Sequence, residues 1–166
     1  MKVYNVIFRI WFLLAIPLTW IFVLPANFII DFLVIYITFR LLKQTDAFKF
    51  SKQTILRVWG FGFLSDIIGG LFMFLLLFIE EMLPRSNDWF YHEVLNPVMY
   101  NPFESIWAVT YVIGCMIISS LCIYYFNRHF SFKNVNLDTR TQHILSLVLA
   151  IVTSPYVFLL PTAWFY

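Results

Sequence analysis

Five long apolar segments occupy most of this 166-residue sequence, and they constrain the fold more than any other feature. Each is close to the ~20 residues that a helix needs to cross a hydrocarbon core of ~30 Å. A backbone in lipid has to satisfy its hydrogen bonds internally, and no segment alternates with period two, so helices are expected. The sequence therefore predicts an all-α, polytopic membrane protein with a single transmembrane domain of about five helices. The predicted spans are residues 3–24, 26–42, 58–83, 105–126 and 144–166.

The composition excludes an ordinary water-soluble domain. Hydrophobic residues make up 61% of the chain and charged residues 12%, whereas a soluble domain has about 45–50% apolar and about 25% charged residues. The 20 Phe, nine Tyr and six Trp side chains cannot all be buried in a core this small. The lipid bilayer is therefore the first predicted partner.

The charged residues separate to opposite sides of the predicted topology. Ten of the eleven Lys and Arg residues lie in the N-terminal region or around the loops after the second and fourth segments, whereas five of the nine acids surround the loop after the third. By the positive-inside rule, the N-terminus is cytoplasmic and the C-terminus lies outside, in what we expect to be a bacterial cytoplasmic membrane. The basic loops are interpreted as topology signals, with Arg57 and Arg128 as candidate ligands of lipid headgroups. No nucleic-acid partner is predicted.

The first two predicted spans are connected tightly. Only 30 residues separate Arg9 from Arg40, whereas two full crossings need about 40. We predict a tight turn at Pro25-Ala26-Asn27, with a re-entrant hairpin as the alternative.

Residues 84–104 mix acids with aromatic residues, which is typical of the headgroup level, and contain the turn signals Asn96-Pro97 and Asn101-Pro102. We predict an outer loop that lies along the interface.

Two carboxylates, Asp31 and Asp66, lie inside predicted spans. Asp31 precedes Arg40 by nine residues and Asp66 follows Arg57 by nine, so each is expected about 13–14 Å from the cytoplasmic surface, near the bilayer midplane. Ionisable groups at that depth are costly and are commonly functional. Without a basic residue at the same depth, such an acid has to protonate, accept hydrogen bonds, face water or bind a cation.

Ser119, Thr153 and Ser154 fall at the same predicted depth in other segments, Asn27 shares a helical face with Asp31, and Ser65 directly precedes Asp66. With the two acids they form a candidate site for a proton or a small cationic solute: Asn27, Asp31, Ser65, Asp66, Ser119, Thr153 and Ser154. A purely structural role, in which the acids tie helices together through neighbouring hydroxyl and amide groups, is the alternative. Helix breaks are predicted at Pro17, Gly69-Gly70 and Pro155, which lie near the membrane centre. Interrupted helices at that depth expose backbone groups to ligands in transporters.

Two stretches resemble a small four-helix family implicated in flipping polyprenyl-linked sugars. They are RVWGFGFLSD from Arg57 to Asp66 and YFNRHFSFK from Tyr125 to Lys133. In that family one helix opens with Arg and glycines before a Ser or Thr and an Asp, and the next ends in an Asn-Arg-aromatic run. The resemblance implies a lipid-linked substrate and functional roles for Arg57, Asp66, Asn127 and Arg128.

Three function classes follow from these observations. The leading hypothesis is a small transporter or transporter subunit, the second is a flippase or carrier of a lipid-linked substrate, and the third is a non-catalytic scaffold, immunity protein or accessory subunit. An enzyme is the least favoured class, because no spacing assembles a nucleophile, a base and oxyanion donors. No metal site or cofactor is predicted. A second copy of the chain or another membrane subunit is a candidate partner, because a chain this small encloses little space alone.

Overall fold

The computed structural model describes residues 17–44, 46–82, 88–133, 135 and 137–162, with side chains from residue 21 onward. These residues form helices and short connections, with no strand among them, so the all-α prediction is confirmed. The helices are α1 (Pro17–Leu41), α2 (Ala47–Met82), α3 (Asp88–Phe90), α4 (Asn96–Tyr100), α5 (Ile106–Phe126) and α6 (Thr139–Val152). A π-helical turn, Asn127–Ser131, extends α5, and a 3-10 turn, Tyr156–Leu159, follows α6.

The four long helices pack as a closed ring. α1 contacts α2, α2 contacts α5, α5 contacts α6, and α6 returns to contact α1. The short connections after α1 and after the π-helical turn make successive neighbours antiparallel, as in an up-and-down bundle. One end of this bundle, called the basic end below, therefore carries a group of cationic side chains: Arg40, Lys43, Lys49, Lys52, Arg128, Lys133 and Arg140.

The outer surface of the ring is apolar. Large side chains on all four helices are more than half exposed, among them Phe22, Leu71, Leu121 and Ile151. Water does not tolerate a contiguous apolar surface of this extent, whereas lipid tails do. Four stretches of the described chain are long and apolar enough to cross a membrane: residues 21–41, 47–82, 106–131 and 139–159. The chain is an integral membrane protein of the polytopic helical class.

The turn predicted at Pro25-Ala26-Asn27 is wrong. α1 runs without interruption through Pro25, which costs the hydrogen bond that its missing N–H would donate. A turn inside lipid would leave several backbone groups unpaired at each new helix end, so continuing the helix is the cheaper solution. Residues 26–42 are thus the second half of a helix that already includes residues 17–24. The rest of the predicted first span lies outside the described residues, as does the sidedness of the N-terminus.

The described part of the stretch predicted as an outer interfacial loop is mostly helical and packs partly against the bundle. From residue 88 onward it forms α3, a second π-helical turn (Tyr91–Leu95), α4 and a second 3-10 turn (Pro102–Glu104). Four of its side chains are buried against α2 and α5: Val94, Leu95, Val98 and Met99. Asn96-Pro97 begins a helix, since proline suits a first helical turn, so the turn predicted there is wrong. At Asn101-Pro102 the extended backbone of Asn101 does mark a turn, and its side chain accepts a hydrogen bond from Phe103 N at 3.2 Å.

Of the helix breaks predicted from the sequence, one is present in the structure and one is absent. α2 continues through Gly69-Gly70, so no break occurs there. The same helix begins at Ala47, eleven residues before the predicted start of the third span at residue 58. Pro17 is the first residue of α1 as described. α6 ends at Val152, three residues before Pro155, which confirms the break predicted there and divides the predicted span 144–166.

Gly69 marks the closest approach of α2 to its neighbours. A Cβ atom at this position would lie 3.0 Å from Ser119 Cβ on α5 and 3.0 Å from a ring carbon of Phe158, whereas a Cβ atom at Gly70 would meet nothing within 4 Å. We expect Gly69→Ala to lower the free energy of unfolding by about 1–3 kcal/mol through overpacking. Gly70→Ala is the matched control and should be neutral or stabilising by up to about 1 kcal/mol. Thermal unfolding in detergent measures both; equal effects of the two would contradict this packing.

Asp138 caps the start of α6 outside the membrane-spanning part. Its Oδ2 accepts a hydrogen bond from Thr141 N at 3.0 Å, and hydrogen bonding by Thr141 holds the pKa of Asp138 below its ordinary value. The capping contribution should therefore be complete above the ordinary Asp pKa of about 4 and lost as pH falls through the lower folded value. Asp138→Ala should lower Tm at neutral pH, and the difference from the wild type should vanish on acidification. Asp138→Asn, which caps equally well, should keep most of the stability at both pH values.

Candidate functional site

A cavity of about 400 Å³ opens between α1, α2 and the break that follows α6. Its polar lining comes from five residues of the predicted site: Asn27, Asp31, Asp66, Thr153 and Ser154. The remaining wall is mainly apolar and includes Val23, Ile30, Phe63, Pro155, Tyr156 and Val157. Two carboxyl groups, an amide and two hydroxyls therefore share one pocket inside an apolar bundle.

The two carboxylates come from different helices and lie at similar heights. Asp31 is 5% exposed and Asp66 is 9% exposed. Asp31 Oδ2 lies against α2 at Gly62, 3.5 Å from where a Cβ atom would stand. Gly62 is one helical turn before Asp66, about 6 Å along the axis. The predicted pairing of the two acids at one level is thus consistent with the packing of α1 against α2.

Asp66 and Asp31 differ in their hydrogen bonding. Ser119 Oγ on α5 lies 3.2 Å from Asp66 Oδ1 and 3.0 Å from the Ser65 carbonyl oxygen, so its single proton can bond to either acceptor. No described residue donates a hydrogen bond to the Asp31 carboxylate. A buried carboxylate without a donor is costly when ionised, unless water, a proton or a cation meets it in the cavity.

The end of α6 supplies further negative character to the cavity. Thr153 N and Thr153 Oγ1 both donate to the Leu149 carbonyl, at 2.9 and 2.8 Å, and Pro155 has no N–H with which to continue the helix. The Ile151 carbonyl accepts a hydrogen bond from the Tyr156 hydroxyl instead, and the last carbonyl groups of a helix carry the negative end of its dipole. This terminus and the two acids favour a cation over an anion.

Of the seven predicted site residues, five line the cavity and two do not. Ser119 reaches the site through its contact with Asp66. Ser65 points elsewhere: its hydroxyl is fully buried and donates to the Phe61 carbonyl at 2.7 Å. Sequence reasoning missed the aromatic wall formed by Phe63 and Tyr156. Counting residues from the basic anchors selects only polar residues, so it passes over both rings. The predicted helix break at Pro155 was the one feature of the sequence that pointed to Tyr156, the residue that follows it.

The candidate headgroup residues lie away from this cavity. Arg57 is exposed on α2, and Arg128 is half-buried in the π-helical turn after α5. Asn127, which the family resemblance singles out, is buried and bonded locally: it donates to the Ile123 carbonyl at 2.9 Å and accepts from Ser131 at 2.7 Å. The structure therefore brings Asp66 together with Asp31 and leaves Arg57, Asn127 and Arg128 outside the acidic pocket.

The donor set of the cavity limits what it can hold. None of its described lining residues is Lys, Arg or His, so no basic side chain in that lining neutralises the acids. Within the described ranges no group of three or more His, Cys, Asp and Glu side chains lies together. Two carboxylates with amide and hydroxyl oxygens suit a proton or a cation.

Comparisons with known protein families, with curated proteins and with solved structures find no match for this chain. Its class therefore rests on its own fold and site. It is an all-α, polytopic integral membrane protein whose described bundle encloses two buried carboxylates beside a broken helix.

The cavity predicts a sharp difference in chemical accessibility between two serines. In a Cys115→Ala, Cys122→Ala background, Ser154→Cys should react with a small cationic methanethiosulfonate reagent, because residue 154 lines the cavity. Ser65→Cys should react far more slowly, because residue 65 is fully buried beside the site without lining it. Mass spectrometry of intact protein measures both rates. Equal rates at the two positions would contradict the cavity as described.

Proposed function

We propose that this protein is a small membrane transporter, or a subunit of one, and that Asp31 and Asp66 bind a proton or a small cationic solute in transit. The observation that carries the proposal is the shared cavity, in which two buried carboxylates from different helices meet without a basic residue in the described lining. Acids kept at such a cost inside an apolar bundle commonly mark ion or proton pathways.

The size and lining of the cavity favour a small organic cation among these ligands. A proton needs no enclosed volume, whereas about 400 Å³ falls within the range of pockets that bind small molecules. Apolar side chains and the Tyr156 ring surround the acids, so the cavity suits a ligand with a charged centre and an apolar body. An aromatic ring adds attraction for an alkylammonium group.

The break after α6 supports transport over simple binding. Helices interrupted near a binding site are a recurrent feature of transporters, in which the broken segment lines the substrate site and can move. We place the protein in a bacterial cytoplasmic membrane with its basic end inside. A second copy or another membrane subunit would help four described spanning helices to enclose a complete path.

The first test uses calorimetry to measure the binding of alkyltrimethylammonium ions to the purified protein in detergent. Each added methylene on the single alkyl chain should tighten binding about fourfold, until the cavity is full, because burying a methylene is worth about 0.8 kcal/mol. Asp31→Asn and Asp66→Asn should each weaken binding by about tenfold or more, the usual loss for one charge-assisted contact.

The matched control for these variants is Glu81→Gln, which removes an exposed acid at the far end of α2 and should bind like the wild type. Uptake into proteoliposomes by the same set of proteins then separates transport from binding. Wild-type binding and uptake by both Asp variants would overturn the proposal.

A carrier of a lipid-linked substrate is the second hypothesis, supported by the resemblance of Arg57–Asp66 and Tyr125–Lys133 to the flippase family. Arg57 and Arg128 lie toward the same end of the bundle, since Phe61, one turn beyond Arg57, contacts Phe126 and Phe130. A polyprenyl phosphate that co-purifies with the wild type and is lost from an Arg57→Ala, Arg128→Ala double variant would favour this function. Identical lipid content in the two proteins would count against it.

A further inference from the structure

A second cavity, an apolar groove of about 470 Å³, lies between α5 and α6 on the outside of the ring. Most of its lining is hydrophobic, and several of those side chains are 41–61% exposed: Ile113, Ile117, Leu121, Leu147 and Ile151. The groove therefore faces the lipid-covered surface of the bundle, and its shape and chemistry suit a hydrocarbon chain.

The groove runs toward the basic end of the bundle, where Tyr124 and His143 belong to its lining. Tyr124 OH lies 2.8 Å from His143 Nδ1, and Arg128 bonds to both groups, with Nη1 3.0 Å from His143 Nδ1. The Arg128 guanidinium also lies 5.7 Å from the centroid of the Tyr124 ring. These contacts hold a permanent positive charge at the mouth of the groove.

The charge of Arg128 has no acidic partner within the described residues, where its partners are Tyr124 and His143. A guanidinium has five N–H donors in a planar fork that matches a phosphate group. The contacts described above use the Nη1 nitrogen, so other donors remain for an anion. Basic pockets between helices at this level are characteristic sites for lipid phosphates.

We propose that the groove between α5 and α6 is a binding site for one anionic glycerophospholipid, with an acyl chain along the groove and the phosphate on Arg128. Charge complementarity at one end and hydrocarbon complementarity along the remainder select this occupant over a zwitterionic lipid. The site is distinct from the acidic cavity, although Ser154 and Tyr156 line both, and it does not depend on the proposed transport function.

The test uses the full chain reconstituted in vesicles made of equal amounts of phosphatidylglycerol and phosphatidylcholine. After gentle detergent extraction, native mass spectrometry should show one phosphatidylglycerol retained in preference to phosphatidylcholine. Arg128→Gln should reduce that retention about fivefold, the usual value of one basic residue near lipid phosphates. Arg128→Lys should retain most of it, because the charge remains.

A second variant tests the groove itself. Ile117→Trp enlarges a side chain that is 53% exposed and lines the groove, so it should block the acyl chain without disturbing the core. Lys52→Gln removes an exposed basic residue on α2 and should retain lipid like the wild type, as should Asp31→Asn in the acidic cavity. Equal retention of the two lipids by the wild type would overturn the proposal. So would equal losses in Arg128→Gln and Lys52→Gln, or an Ile117→Trp variant that retains lipid normally.

Discussion

The cost of placing carboxylates inside an apolar bundle is the constraint on which this protein depends. Asp31 and Asp66 are almost fully buried, and neither has a basic partner in the described cavity lining. Ser119 contacts Asp66, whereas Asp31 relies on what the cavity contains. A bundle held together by hydrophobic packing alone would be more stable with apolar residues at these positions. This cost is the reason for the proposal that the acids belong to a binding site.

Backbone hydrogen bonding explains why one proline in this bundle breaks a helix and another does not. At Pro25 the helix continues, and Trp59 Nε1 donates to the neighbouring Leu24 carbonyl at 3.0 Å, which ties α1 to α2 beside the proline. Before Pro155, the Thr153 hydroxyl bonds back to the Leu149 carbonyl. Pro155 has no N–H to donate to the Ile151 carbonyl, and the Tyr156 hydroxyl donates to that carbonyl instead, so the backbone is satisfied without a continued helix. The break falls where it opens the acidic cavity, which links the sequence of α6 to the site.

Much of this architecture can be predicted from the sequence, because charge and hydropathy report depth in a membrane directly. Counting residues from Arg40 and Arg57 brings Asp31 and Asp66 to one level, and the same method finds Thr153 and Ser154, whereas Asn27 follows from the helical face that it shares with Asp31. It fails where tertiary packing decides. Proline and polar residues indicate turns in water, yet a helix in lipid passes through Pro25. Residues 88–104 look interfacial by composition, but six of them are buried, which only the packing of this stretch against α2 and α5 reveals. The aromatic wall of the cavity carries no signal in a depth count.

The most direct test of the central claim is site-resolved labelling of the purified protein by a hydrophobic carbodiimide, which reacts with protonated carboxyl groups in apolar surroundings. Peptide mass spectrometry identifies the modified acids with and without a saturating alkyltrimethylammonium ion. If the two acids form a cation-binding cavity, the label should appear at Asp31 or Asp66, and the cation should suppress it there while leaving exposed acids unaffected. Labelling of neither residue, or labelling that the cation leaves unchanged, would contradict the account.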